Sequence, residues 1–330
     1  MRIGVLGSGA VGGLYGGMLA KNGEEVHFLL HSDFDHVKQH GLRIDSPLGD
    51  FHLESPSIHR SVNDMPECDV VLIALKTTNN HLLGDWLPKL VVDDGIVLTL
   101  QNGLNVESQL CDFMDPRCVL GGCCFLCSNK VGPGHIHHLD FGRIVFGSYQ
   151  PTRQDVQSSQ NTIGYRKGHD LLQRMQAAGI DANWTDDLAA SRWRKLMWNI
   201  PFNGLSVIMD ASTDEIIGCP HGRRLAQRII QEVFDAATKC GVAIGPSAIH
   251  VTMEHTDSMV PYDSSMRLDD RHGREMEVEA IFGNPLRAVA EATDQASSGH
   301  VEMPLVEMMY QLLSHRNDRR LASAVSSVEG

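Results

Sequence analysis

The chain has 330 residues, 42% of them hydrophobic and 21% charged, which predicts a globular protein of two domains. Its formal net charge of −13 argues against nucleic acid or an anionic membrane as the main partner, while leaving room for a small anion held by local positive charge. No apolar run approaches the length of a membrane span, and there is no internal repeat or low-complexity tract.

Met1-Arg2 leads directly into Ile3-Gly4-Val5-Leu6, and the glycines that follow are unlike a signal-peptide core, so a cytoplasmic location is expected. Residues 3–7 read as a buried strand, 10–22 as a helix ending near Gly23, and 25–30 as a second strand. Between the first strand and the helix stands Gly7-Ser8-Gly9-Ala10-Val11-Gly12. A GxGxxG string is weak alone, but between strand and helix it becomes a dinucleotide-binding signal. Gly7 permits the tight turn, Gly9 lets a pyrophosphate approach the backbone, and Gly12 allows close helix–strand packing. The helix N-terminus adds N–H donors and a positive dipole end.

After the second strand, an acidic residue would hold the ribose of NAD and an arginine the 2′-phosphate of NADP. Here the sequence is Leu30-His31-Ser32-Asp33. Asp33 reads equally as the start of a helix toward His40, and His31 and Ser32 are weak phosphate partners. These residues leave NAD and NADP both open.

Residues 69–75, 95–100 and 119–126 are nearly continuous apolar runs, as expected of parallel strands buried on both faces. A Gly-Pro-Gly turn within residues 130–147 predicts an antiparallel hairpin. Cys123, Cys124 and Cys127 precede His135, His137 and His138, residue types that can ligate a metal. The cysteines lie in an apolar strand without the paired spacing of a zinc site, and we expect packing cysteines and no metal.

From about residue 186 helical periodicity takes over, at 188–209, 222–240, 247–259, 275–293 and 305–316, followed by a small polar tail at 319–330 expected to be mobile. The pattern is that of an α/β Rossmann-type doubly wound sheet, residues 1–185, followed by an all-α C-terminal domain, residues 186–330.

The first of these helices carries Lys195, Asn199 and Asn203 every fourth residue among apolar neighbours that include Trp193 and Trp198. On a helix these three lie within about 80° of one another. A lysine and two carboxamides on a mostly buried face require partners. Alone, the stripe fits a satisfied structural network with Lys195 reaching solvent. Three further segments bear on it. Lys76 and Asn102 stand at the carboxyl ends of apolar strands, the edge where open α/β sheets bind ligands. In the helical domain, Ser264-Ser265-Met266 is followed by Glu277, twelve residues after Ser265. Individually, Lys76 fits a solvated strand end, Asn102-Gly103 a turn, Ser265 a cap, and Glu277 one charge on a solvated helix with Glu275 and Glu279.

Taken in order, the N-terminal GxGAxG, the Leu75-Lys76 and Asn102-Gly103 strand ends, Trp193-Arg194-Lys195-Leu196 with Asn199 and Asn203, and the Ser265-to-Glu277 spacing resemble the ketopantoate reductase (2-dehydropantoate 2-reductase) family over nearly the whole chain. The resemblance implies a Rossmann domain joined to a helical domain of the 6-phosphogluconate dehydrogenase C-terminal type, with the substrate in the cleft. It implies reduction of 2-dehydropantoate to (R)-pantoate with NADPH, a step toward pantothenate and coenzyme A, NAD not being excluded. Lys195 matches the family's general acid and Glu277 the active-site glutamate that supports it. Asn199, Asn203 and Ser265 match substrate contacts, and Asn102 a residue near nicotinamide and substrate. Lys76 matches the cleft lysine beside the cofactor, which the glycine loop holds with His31 and Ser32.

The chain departs from the family at three places. His31 replaces a common arginine, and Tyr262 stands where an asparagine is frequent, so another branched 2-oxo acid is an alternative substrate. Pro201, between the two asparagines, removes a helix N–H and is expected to kink the helix before Asn203. A non-catalytic dinucleotide-binding sensor is the alternative of another class, although a sensor needs neither Lys195 nor Glu277. The sequence leaves the oligomeric state open, a homodimer being one alternative.

Overall fold

The computed structural model describes residues 1–150, 162–295 and 302–328, and it divides into two compact units. The first comprises Met1–Gln101 and Val106–Leu188, the second Asn102–Asn105 and Ala189–Gly330.

In chain order the first unit holds β1 (Arg2–Leu6), α1 (Ala10–Lys21), β2 (Glu25–Leu29), α2 (Phe34–His40), β3 (Leu42–Asp45), β4 (Phe51–Leu53), β5 (Ser57–His59) and β6 (Cys68–Ile73). It continues with α3 (Leu83–Leu90), β7 (Val91–Thr99), α4 (Val106–Leu110), β8 (Val119–Gly132), β9 (His135–Ser148), α5 (Ile163–Ala177) and β10 (Ala182–Trp184). Its strands form one sheet in the order β4-β3-β9-β8-β7-β6-β1-β2-β5, with β10 beside β9. From β5 to β8 every neighbouring pair is parallel. This is the doubly wound Rossmann-type arrangement, and the order reverses at β1, flanked by β2 on one side and β6 on the other. The apolar runs lie where their patterns predict: β6 and the second half of β7 are almost wholly buried, because helices cover both faces.

The hairpin is longer than the sequence suggests. β8 and β9 each span 14 residues, and their antiparallel pairing shifts register near Phe125, Cys127 and Lys130. Such irregularities bend a ribbon. The outer half of this one packs on α1, where a Cβ on Gly13 would lie 2.1 Å from Ile136, and Ser128 Oγ donates to the Ala10 carbonyl at 3.4 Å. Cys123, Cys124 and Cys127 are buried along β8.

The second unit is helical, with no strand among its described residues. It contains α6 (Leu188–Ile208), α7 (Thr213–Gly218), α8 (Pro220–Lys239), α9 (Ser247–Ser258), α10 (Ser265–Arg271), a π-helical turn (Glu279–Gly283), α11 (Asn284–Gln295) and α12 (Pro304–Val328). Its core gathers Trp193, Met197, Ile200, Ile229, Val233, Phe282 and Val306, and includes Leu104 from the short separate segment. Helix α6 runs unbroken through Pro201. Two expectations are corrected. The helix predicted from residue 275 begins later, through the π-helical turn, so that Glu277 lies in irregular chain before it. The segment taken for a mobile tail from residue 319 continues α12 as far as Val328, while 329–330 fall outside the described residues.

Candidate active site

In the first unit the loops after β1 and β6 meet at the reversal point. Gly7 has φ +95°, and a Cβ there would lie 2.5 Å from the Ala74 backbone, so neither the turn nor the contact admits a side chain. A Cβ on Gly12 would lie 2.3 Å from the Gly7 carbonyl. Gly9 differs: an added Cβ meets nothing within 4 Å. It is the N-cap of α1, no side chain caps that helix, and no acid stands in its first turn. An open surface over Gly9, faced by the amides of a helix N-terminus, is a cradle that fits a pyrophosphate. Ser8 ties the loop to the end of β2 through its hydroxyl, which donates to the Leu29 carbonyl at 3.2 Å.

Beyond β2, His31 and Ser32 are exposed but Asp33 is buried. Although Asp33 occupies the N-cap position of α2, its side chain makes no cap bond. The carboxylate instead accepts from Lys130 Nζ at 2.6 Å, the Gly134 N–H at 2.9 Å and Ser32 Oγ at 3.1 Å. Burial alone would raise this carboxyl, but the Lys130 ammonium and the Gly134 amide hold it below its usual value.

At the end of β6, half-buried Lys76 starts a 3₁₀ turn at Thr77–Leu82. Buried Gln101, at the end of β7, fixes that turn. Its Nε2 donates to the Leu75 carbonyl at 3.0 Å and Asn80 Oδ1 at 2.6 Å, and its Oε1 accepts from Thr99 Oγ1 at 3.0 Å.

In the second unit, Lys195 is half-buried on α6 while Asn199 and Asn203 are buried on the same face. Asn102 stands against this stripe, its Oδ1 accepting from Asn199 Nδ2 at 3.4 Å. The segment carrying Asn102 is clamped to the π-helical turn. The Leu104 N–H donates to the Ala280 carbonyl at 2.9 Å, Asn284 Nδ2 donates to the Leu104 carbonyl at 2.7 Å, and a Cβ on Gly103 (φ +106°) would lie 2.4 Å from the Ala280 oxygen. Glu277, three residues before Ala280, is 7% exposed, whereas Glu275 and Glu279 face solvent. π turns recur at functional sites because the wide turn redirects side chains.

Of the serine pair, Ser264 is the buried member. It caps α10 by accepting from the Arg267 N–H at 3.1 Å, and its hydroxyl lies 2.6 Å from that of Ser206, one turn beyond Asn203 on α6. Ser265 is exposed at the first position of α10. Tyr262 is buried, its backbone paired with Thr213 at the start of α7.

Residues 3–151 match the family model Ketopantoate reductase PanE/ApbA, and residues 187–317 match Ketopantoate reductase PanE/ApbA C terminal. The chain belongs to the ketopantoate reductase family. It is 43% identical over 315 residues to a 2-dehydropantoate 2-reductase of a Nostoc species, covering 96% of this chain and 95% of that protein. The crystal structure of 2-dehydropantoate 2-reductase from Geobacter metallireducens matches with a TM-score of 0.87 at 36% identity, over 96% of this chain and 99% of that one. A D-mandelate dehydrogenase solved with NADH and anilino(oxo)acetate shares the fold, with a TM-score of 0.84 at 20% identity over 97% and 99% of the two chains. Membership in the ketopantoate reductase family makes this protein an NAD(P)-dependent oxidoreductase.

Sequence reasoning passed over three residues of this ketopantoate reductase family member: Gln101, Lys130 and Ser264. Gln101 had a detectable signal, a polar side chain closing an apolar strand beside Asn102. Lys130 had none, since its partner Asp33 is 97 residues away. Ser264 was visible but indistinguishable from Ser265 without the helix boundary.

Proposed function

We propose that this protein reduces 2-dehydropantoate to (R)-pantoate with NADPH, in the synthesis of pantothenate and coenzyme A. The observation that carries the reading is the meeting of Asn102 with Asn199 one turn from half-buried Lys195, which gathers polar groups far apart in the chain on one face of α6. The 43% identity to a protein named for this reaction supports it. Gly7, Ser8, Gly9, Ala10, Val11 and Gly12 would hold the pyrophosphate, with His31, Ser32, Lys76 and Asn102 completing the cofactor contacts. The nicotinamide supplies the hydride.

The protein's part is placement and charge. Asn102, Asn199, Asn203 and Ser265 orient the 2-oxo acid by hydrogen bonds. Negative charge develops on the C2 oxygen in the transition state, and the Lys195 ammonium stabilises it and delivers the proton. Glu277, buried in the same unit, is the carboxylate that positions Lys195. Tyr262 favours a second reading, in which a different branched 2-oxo acid is the substrate. The unit assignment follows: the Rossmann unit carries cofactor, the helical unit catalysis. A homodimer in the cytoplasm completes the reading.

The test is turnover of a panel of 2-oxo acids with NADPH and NADH. Ketopantoate with NADPH should give the highest kcat/KM. Lys195→Ala should lower kcat about 10²- to 10⁴-fold, the usual worth of a positioned proton donor, while the Kd for NADPH changes less than about twofold. Oxidation of NADPH by Lys195→Ala at the wild-type rate removes Lys195 as general acid. Faster turnover of another 2-oxo acid supports the second reading. Cofactor binding without any turnover would make the protein a sensor.

A further inference from the structure

The residues after β2 include no arginine to hold a 2′-phosphate, yet a cation does reach this place from elsewhere in the chain. The geometry points to Lys130, on the β8–β9 hairpin, as the residue that recognises the 2′-phosphate of NADPH, an inference that rests on the NADPH reading above. Three contacts within the first unit locate it. Ser8 binds the glycine loop to the Leu29 carbonyl at the end of β2. Ser128, two residues before Lys130, donates to the Ala10 carbonyl in the first turn of α1. Lys130 itself reaches Asp33 Oδ1, an oxygen that Ser32 also contacts. The ammonium therefore stands beside the exposed Ser32, where the adenosine ribose of a dinucleotide on this loop lies in Rossmann folds.

The ion pair has a direction. The Asp33 side chain is 8% exposed and faces inward to the Gly134 N–H, whereas that of Lys130 is 36% exposed. Its positive end faces solvent. An ammonium has three donors and Asp33 Oδ1 takes one, leaving donors for a phosphate. Two consequences follow from one contact. The acid that would hold the ribose 2′-hydroxyl of NAD is engaged by Lys130, and the cation left at the surface attracts a dianionic 2′-phosphate. The register shift near Lys130 and Gly132 bends the hairpin at this point.

The test uses ligands that need no catalysis. Calorimetry on the full chain compares adenosine 2′,5′-bisphosphate with 5′-AMP. The wild type should bind the bisphosphate more tightly, and Lys130→Ala should weaken that binding about 10- to 100-fold, the worth of a charge-assisted hydrogen bond, while 5′-AMP is unaffected. Lys130→Arg should retain the preference. Because Lys130→Ala also leaves Asp33 unpaired, a Lys130→Ala/Asp33→Asn double variant separates attraction from relieved repulsion. Continued loss in the double variant supports direct recognition, and recovery to wild-type affinity overturns it. Equal binding of both ligands by the wild type, or an unchanged preference in Lys130→Ala, also overturns it. These outcomes stand whether or not ketopantoate proves to be the substrate.

Discussion

Gly9→Ala separates a glycine needed for folding from one kept clear for a ligand. Gly9 caps α1 with φ −82°, which alanine adopts without strain, and an added Cβ would meet nothing within 4 Å. Alanine is a poorer N-cap than glycine by up to about 1 kcal/mol. Restricting the unfolded chain returns about 0.4–1 kcal/mol. The two terms nearly cancel, leaving a net change within about 0.5 kcal/mol and a Tm shift of about 1–2 °C. The methyl group does, however, occupy the space through which a pyrophosphate would approach. Overpacking of about 1–3 kcal/mol there weakens NADPH binding about 5- to 150-fold.

Gly7→Ala is the comparator. Its φ of +95° and the 2.5 Å approach to the Ala74 backbone predict a loss of about 2–5 kcal/mol, the sum of left-handed strain and forced displacement. Thermal melts without ligand and calorimetry with NADPH give both readouts. Gly9→Ala should melt like wild type and bind weakly, and Gly7→Ala should melt about 5–20 °C lower. A Gly9→Ala protein that binds NADPH within about twofold of wild type would refute the cradle, as would one destabilised like Gly7→Ala.

Gln101→Leu removes two donors and leaves the Leu75 carbonyl and Asn80 Oδ1 without them, at about 1–3 kcal/mol each. Urea unfolding should show a loss of about 2–6 kcal/mol, and a loss below about 0.5 kcal/mol would dismiss the network as the anchor of the Lys76 turn. Asp33 provides a pH test. Its carboxyl is depressed in the fold despite burial, through Lys130 and Gly134, so its contribution is present above the unfolded pKa near 4 and is lost as pH falls through the lower folded value. The difference in urea midpoint between wild type and Asp33→Asn should therefore shrink from pH 6 to pH 3, and a constant difference contradicts the pairing.

What the sequence revealed depended on the distance over which the signal acts. The glycine loop, the apolar strands and the helix bearing Lys195 are local patterns with a clear period, and they stand where they were read. Strands β3, β4, β5 and β10 have three or four residues each, too few for alternation to show. Helix α5 escaped because its buried stripe is Gly164, Gly168, Leu171 and Met175, and glycines read as helix breakers. The helical periodicity of residues 275–293 takes in Glu277, and nothing in the residues around it marks that the helix starts only after it. Asp33 was ambiguous for a different reason. Ribose ligand and helix cap are both local roles, and the partner that claims it arrives from a hairpin on a distant part of the chain.

Residues 102–105 belong with α6 and the π-helical turn although Gln101 before them and Val106 after them belong to the other unit. Leu104 is part of the helical core, and Asn102 is hydrogen-bonded to Asn199. A fragment beginning at residue 189 is therefore missing an interior side chain, and its folding alone would leave a cavity where Leu104 packs. The same applies to chimeras: exchanging the C-terminal half with a relative's carries over Lys195 and Asn199 but strands Asn102 with its former sequence. Any swap intended to transfer specificity has to take this tetrapeptide along as an insertion, making the helical unit discontinuous in the gene though continuous in space.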